Sequence, residues 1–523
     1  MRARSIALTV VLVALLGGDS LTPAHADVTC PVVVPPLQQY RAGDEAATYI
    51  VGDLNGDGGS DIAIKVTHYP AYCGYGPQGA VEPASTRVDI RSGATGALLW
   101  AVSAEKNAVV EGVNLGGRQG VLVHDTYDRI FDGTGHQWSR QPSLGYIAAV
   151  LSGTPGQPDV IVTRKTLVTA RLHATSAATG KALYDRPDPG GELSAVPDID
   201  ADGREDMLLR AVTGDGHETD TIVDGGSGTI WWIRQLSSVC ADMTATTPST
   251  PQSRYVLSGD ATVVGDMNGD GNREVAVSGV PCPPGSSTAG GPLSEILDGH
   301  NGHERWTTAG EVDPAGDANG DGKPEVFVSV FSPSPYALTS HTDITLKLVD
   351  AVGAVVATRT DSLDTGGRSG YTFPSQLRPA GDADGDGAPD LLEQVAIGFD
   401  EPPMLQRVVS GRNLALIGAD PNPAADRSSS ALLASTDGAG DDVVRFGTTT
   451  QTVSVIDSLT GTTRWSYNFA DAPSDFWAAD FRTADVNGDG RADVVVLELR
   501  NTDLTDVVDG ATGQSLWKFN AVR

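Results

Sequence analysis

Short apolar runs rich in β-branched residues recur along the chain, each bounded by clusters of Gly, Asp and Asn. Ile62-Ala-Ile64, Val275-Ala-Val277, Val326-Phe-Val328 and Val494-Val-Val496 are of this kind, and Thr262-Val-Val264 shows a similar run ahead of a polar cluster. Runs of this length and composition read as strands, and no helical periodicity interrupts them, so the pattern predicts an all-β chain. A second signature follows: an apolar pair, a turn closed by Gly, then an aromatic. Its good copies are Asp89…Thr95-Gly96…Trp100, Ile222-Val-Asp224…Gly228…Trp231, Ile296-Leu-Asp298…Gly302…Trp306, Val455-Ile-Asp457…Thr460-Gly461…Trp465 and Val507-Val-Asp509…Thr512-Gly513…Trp517. Weaker copies stand at Phe131-Asp132…Trp138, Ser176…Gly180…Tyr184, Leu348-Val-Asp350…Gly353 and Val408-Val-Ser410-Gly411. Each reads as strand, turn, strand, with the aromatic anchoring the outgoing strand.

The polar clusters between the first two strands have a fixed spacing. Oxygen-bearing side chains occupy positions 1, 3, 5 and 9 of six loops, and position 7 varies. The sets are Asp53, Asn55, Asp57, Gly59, Asp61; Asp198, Asp200, Asp202, Arg204, Asp206; and Asp266, Asn268, Asp270, Asn272, Glu274. The other three are Asp317, Asn319, Asp321, Lys323, Glu325; Asp382, Asp384, Asp386, Ala388, Asp390; and Asp485, Asn487, Asp489, Arg491, Asp493. Alternate oxygens on a tight loop suit Ca²⁺, and a variable position 7 suits a backbone-carbonyl ligand; Mg²⁺ prefers a stricter octahedron. An EF-hand needs an acid at position 12, where these loops carry Ile64, Leu209, Val277, Val328, Glu393 and Val496. The plain alternative is an Asn-Gly or Asp-Gly turn without metal. A bare turn has no need of the acid at position 9, which all six keep. The expectation is about six structural Ca²⁺ sites, the ion relieving repulsion among clustered carboxylates.

Nine units result, at about 46–100, 108–140, 146–186, 193–234, 260–308, 312–360, 377–419, 431–468 and 479–519. Three keep the flanking strands without a full loop: Asn114-Leu-Gly-Gly117, the stretch before Asp159, and Asp437 to Asp442. Four strands per unit, repeated, predict a β-propeller of nine blades, with eight blades or two bodies as alternatives. The acidic loops join first to second strands and share a face with the Gly turns. The opposite face carries the connections that vary: 67–85, 235–259, 279–292, 331–341, 360–376 and 398–405. Tyr69, Tyr72 and Tyr75 on the first of these suit stacking on a sugar or protein surface, or else cover the edge of the first blade.

Composition adds a compartment. Arg2 and Arg4, the apolar run from Ile6 to Leu16 and Ala24-His25-Ala26 read as a secretory signal peptide over 1–26, leaving 27–523 for the propeller. No stretch is long enough for a membrane span. The formal net charge is −31, which argues against nucleic acid or anionic membrane as partners. Twenty of the acids stand at ligand positions of the six loops, so much of the charge belongs to those loops. Cys30, Cys73, Cys240 and Cys282 are an even set in an exported chain, with three pairings open. Their places relative to the loops at Asp53 and Asp266 favour Cys30–Cys73 and Cys240–Cys282.

In these loops and turns the chain resembles the FG-GAP/VCBS repeat family, whose best-known fold relative is the integrin α-subunit propeller. The resemblance covers roughly 40–523, and nine units depart from that family's usual seven. It implies a calcium-stabilised propeller used for binding, here a monomeric secreted binding or adhesion module for an extracellular carbohydrate or protein. The chain has no nucleophile elbow, H-E-x-x-H or phosphate loop, and His300 with His303 reads as a surface turn. Two enzyme alternatives remain. Some polysaccharide lyases are calcium-bearing propellers, and the Thr-Gly…Trp copies look like the docking motif of quinoprotein dehydrogenases, whose adjacent cysteines this chain lacks. No residue of the sequence stands out as catalytic for either.

Overall fold

The computed structural model describes residues 45–68, 85–142, 145–165, 170–212, 218–235, 261–279, 293–332, 341–364, 376–379, 382–396, 403–419, 430–433, 442–447, 452–457, 460, 462–468, 479–498 and 504–520. Every regular element among them is a strand, and none of them forms a helix long and apolar enough to cross a membrane. Thirty-six strands, β1 to β36 in chain order, form nine antiparallel sheets of four consecutive strands each. The first holds β1 (Glu45–Gly52), β2 (Asp61–His68), β3 (Ser85–Arg91) and β4 (Leu98–Ala104). The ninth holds β33 (Ala479–Ala484), β34 (Asp493–Glu498), β35 (Leu504–Val508) and β36 (Ser515–Asn520). The seven between span 109–142, 146–187, 192–235, 261–309, 311–364, 376–419 and 430–468. The architecture is a nine-bladed β-propeller.

Its core lies between blades rather than within them. Along β2, Ala63 packs with Val110, Val121 and Val123 of the second blade, while Ile62 and Ile64 pack with Val486, Val495 and Val507 of the ninth. A strand covered on both faces needs apolar residues at successive positions. That is why the second strands read as continuous runs rather than as alternation. Fourth strands have one face in solvent and do alternate, as in β4. The contacts of Ile62 and Ile64 also close the ring, joined by a buried hydrogen bond between Thr48 Oγ1 and Thr505 Oγ1 at 2.8 Å.

The aromatic of the fourth strand works across blades. Trp232 Nε1 donates to Gly299 O at 2.8 Å, Trp465 Nε1 to Gly510 O at 2.7 Å, and Trp100 Nε1 to Gly133 O at 3.1 Å. Trp138 donates to Ala178 O, and Trp517 to Gly93 O across the ring closure. Each acceptor lies in the Gly turn of the following blade. The expectation that the aromatic anchors its own outgoing strand is therefore corrected: it anchors the next repeat. In the fourth blade the docking residue is Trp232, not Trp231. All nine third-to-fourth strand pairs carry a bulge beside the turn. A bulge re-aims the strand that follows it.

Connections on the two faces differ. Third-to-fourth turns are short in every blade, whereas second-to-third connections run from Asp125–Thr126 to the whole of 69–84. Fourth-to-first connections run from Gly310 alone to 236–260. Cys30, Cys73, Cys240, Cys282, Tyr69, Tyr72 and Tyr75 lie outside the described residues, as does 1–26.

Candidate metal centres

The loop residues singled out by spacing link first to second strands in six blades, with Asp61, Asp206, Glu274, Glu325 and Asp493 opening the second strand and Asp390 standing just before it. Their local folding is a set of side-chain caps on backbone N–H groups. The position-1 carboxylate accepts from the glycines at positions 4 and 6: Gly56 and Gly58 to Asp53 at 2.7 and 3.0 Å, Gly269 and Gly271 to Asp266 at 2.7 and 2.9 Å. Gly320 and Gly322 to Asp317, and Gly488 and Gly490 to Asp485, repeat this pattern. Gly203 and Gly387 serve Asp198 and Asp382 alike. The position-3 oxygen accepts from the N–H of position 5, as in Asp57 to Asn55 and Asp202 to Asp200. Position 5 accepts from position 7: Gly59, Arg204, Asn272, Lys323, Ala388 and Arg491 donate to Asp57, Asp202, Asp270, Asp321, Asp386 and Asp489. These caps hold each of the six loops in a tight curl.

The loops divide by position 3. Where it is Asp, three carboxylates converge: oxygens of Asp198, Asp200 and Asp206 lie within 4.8 Å of one another, as do those of Asp382, Asp384 and Asp390. Two oxygens bound to one Ca²⁺ at 2.3–2.6 Å lie at most about 5 Å apart, so these sets fit such an ion. Asp382 Oδ1 is moreover closed off from solvent and takes no hydrogen bond among the described residues. Where position 3 is Asn, its amide reaches the neighbouring acids. Asn268 Nδ2 donates to Asp270 and Glu274 at 2.9 and 2.8 Å, Asn319 to Asp321 and Glu325 at 3.3 and 2.7 Å, and Asn55 to Asp57 and Asp61 at 2.8 and 3.3 Å. Asn487 Nδ2 turns instead to Asp509, at 3.4 Å.

The position-9 acid has a use that spacing did not reveal. Asp61, Asp206, Glu274, Glu325, Asp390 and Asp493 are all buried. Asp61 accepts from the N–H groups of Leu54 and Asn55 in its own loop and from Gly93 in the Gly turn, at 2.9, 3.1 and 3.1 Å. Gly225, Gly411 and Gly510 do the same for Asp206, Asp390 and Asp493. A bare turn does therefore use this acid, contrary to the expectation from spacing, because the carboxylate ties two turns together without any ion. Asp159 shows this in a blade that lacks the other ligands, accepting from Asn114 and Gly153 at 2.7 and 3.0 Å. In the eighth blade a guanidinium joins the equivalent acid to the turn acid: Arg464 lies 3.0 Å from Asp442 and 2.9 Å from Asp457. Glu393, the one acid at position 12, faces away from this chemistry and pairs with Arg407 at 2.6 Å.

Asp224 and Asp509, read from sequence as turn residues, also stand beside the cradles. Their charges help raise the carboxyls of Asp206 and Asp493. Their recurrence at the start of the Gly turn, with Asp298, Asp350 and Asp457, was the signal that could have placed them there.

Burial is the main cause that lifts Asp206 and Glu274 to about 7 and Asp390 and Asp493 to about 6, against the lowering effect of backbone N–H groups. Unfolded carboxyls titrate near 4, so the cation-free fold binds extra protons. Its stability therefore rises as pH falls from about 8 to about 5. Chelated protein is expected to melt higher at about pH 5.5 than at about pH 8. Calcium, which takes the ionised form, is expected to abolish that gain. A chelated melt that falls with pH would show that these acids are held ionised.

No family model matches the chain, and no curated protein matches it in sequence. Among solved structures it is similar to the V. cholerae biofilm matrix protein Bap1, with a TM-score of 0.37 and 14% identity over 92% of this chain and 87% of that one. It is similar to the exotype rhamnogalacturonan lyase YesX, with a TM-score of 0.38 and 14% identity over 87% and 70%. A Bacillus licheniformis rhamnogalacturonan lyase, PL11, gives a TM-score of 0.38 and 16% identity over 88% and 73%. Nothing about ligand or activity follows from likenesses this slight.

Proposed function

We propose that the chain is a secreted, calcium-stabilised propeller of FG-GAP/VCBS type, acting as a binding or adhesion module for an extracellular carbohydrate or protein. The observation that carries the calcium reading is the convergence of three carboxylates in each of two loops, on a cap pattern that the other four loops share. Asp, Asn and Glu side chains at positions 1, 3, 5 and 9 would hold the ion, with a backbone carbonyl at position 7. The ion supplies positive charge where these acids crowd. The binding reading rests on the contrast between faces. One face carries third-to-fourth turns of four to six residues and first-to-second loops of four to eleven, and the other carries connections from one residue to twenty-five. Variable loops on a rigid scaffold are where recognition usually lies.

Calorimetric titration of the chelated protein with Ca²⁺ is expected to count about six ions. The loaded protein is then screened against acidic and neutral polysaccharides, with product analysis of each mixture. Saturable retention without new chain ends supports the module. An acidic polysaccharide that is cleaved would replace that reading with a lyase, and a count of zero or one ion would remove the calcium reading.

A further inference from the structure

The seam between the ninth and first blades differs from the other eight in having no chain running through it. Every sheet uses four consecutive strands, so among the described residues no strand from one end of the chain completes a sheet at the other. Closure therefore depends on contacts; apolar strand packing supplies many of them, and two acidic loops add a direct backbone contact. Ser60 N, at position 8 of the first loop, donates to Asp485 O, at position 1 of the ninth, at 2.7 Å. Val486 O is wedged against Gly59 and Gly93: a Cβ on either would come within 2.4 or 2.6 Å of it. A Cβ on Gly488 would meet the backbone of Gly58 and Gly59 at 3.1 Å. The ligand positions 57 and 59 of one loop and 485 and 487 of the other thus flank a direct backbone contact. Gly59 is accounted for by the same contact. Position 7 carries a side chain in the other five loops, and here Val486 leaves no room for one.

We propose that this seam is a cation-controlled latch: loading the loops 53–61 and 485–493 is coupled through the contact of Asp57–Gly59 with Asp485–Gly488, and unloading them opens the ring there first. The proposal rests on the reading that the acidic loops take a cation. The junction of the fourth and fifth blades is the internal control. It has two complete loops and a related bond one residue further along the acceptor loop, Arg273 N to Ile199 O at 2.8 Å, but the chain continues between its blades.

Amide hydrogen exchange of the full chain, with calcium and after chelation, reads the latch. Chelation is expected to speed exchange about tenfold more in peptides covering 59–64, 91–97 and 484–496 than in those covering 197–209 and 272–278. Gly59→Ala is expected to weaken two calcium sites together, each about tenfold, in calorimetric titration. Calcium binding with uniform exchange at both junctions, or loss of a single site in Gly59→Ala, overturns the latch and leaves the calcium reading intact. Absence of calcium binding overturns both.

Discussion

Trp232→Ala is expected to destabilise the ring by about 3–5 kcal/mol, the usual cost of deleting a buried aromatic. Trp232 is 7% exposed and packs with Val263, Val275 and Val277 of the next blade. Its Nε1 bonds Gly299 O, and its ring covers Gly302 so closely that a Cβ there would lie 2.8 Å from the indole. Gly302 also has a φ of 70°, which other residues adopt at a cost. Gly302→Ala is therefore expected to destabilise as well. Trp232→Phe keeps most of the apolar contact and loses the hydrogen bond, for about 1 kcal/mol. Trp306 provides the comparison: its Nε1 is buried without a partner among the described residues, so Trp306→Phe has no such bond to lose. Melting and urea curves of the variants check the order. A Trp232→Ala protein within 1 kcal/mol of the parent would mean that docking does not hold the blades.

Chelation is the second large effect. Each loop that gives up its ion loses RT ln(1 + [L]/Kd), about 2.7 kcal/mol at hundredfold excess, so emptying all six is expected to lower the Tm strongly. Substitutions within one loop separate the ion from the fold. Asp57 is exposed and caps Gly59 and the Asn55 amide. Asp57→Ala is expected to disable its own site, to weaken the coupled site at 485–493, and to leave the chelated Tm almost unchanged. Asp61 accepts three backbone N–H groups and the Asn55 amide inside the blade. Asp61→Ala strands those donors at about 1–3 kcal/mol each, so it is expected to lower the Tm with calcium or without it. Equal effects of the two variants in chelator would show that the ninth acid serves the ion alone.

Much of the fold was legible because its information is local. The length and β-branching of Ile62-Ala-Ile64 or Val494-Val-Val496 mark strands, the Asp, Asn and Gly spacing marks six loops, and nine recurrences of the flanking strands and Gly turns mark nine sheets. The spacing of positions 1, 3, 5 and 7 was legible for the same reason, since their caps join residues two to five apart. What the tertiary structure decided is which repeat each side chain serves. Gly513 and Trp517 look like parts of one hairpin, yet Gly513 lies under Trp465 of the preceding blade while Trp517 reaches Gly93. Asp61 looks like a metal ligand and also bonds a turn 32 residues away. Glu393 stands in a ligand register and belongs to Arg407. Gly59 looks like one variant of a free position until Val486 is seen against it. Contacts between blades join positions forty or more than four hundred residues apart, and no periodicity records them. The chain alone specified the sheets and the curled acidic loops through short-range sterics and hydrogen bonds. Closure of the ring, and the second use of its glycines and acids, came only from packing one sheet against the next.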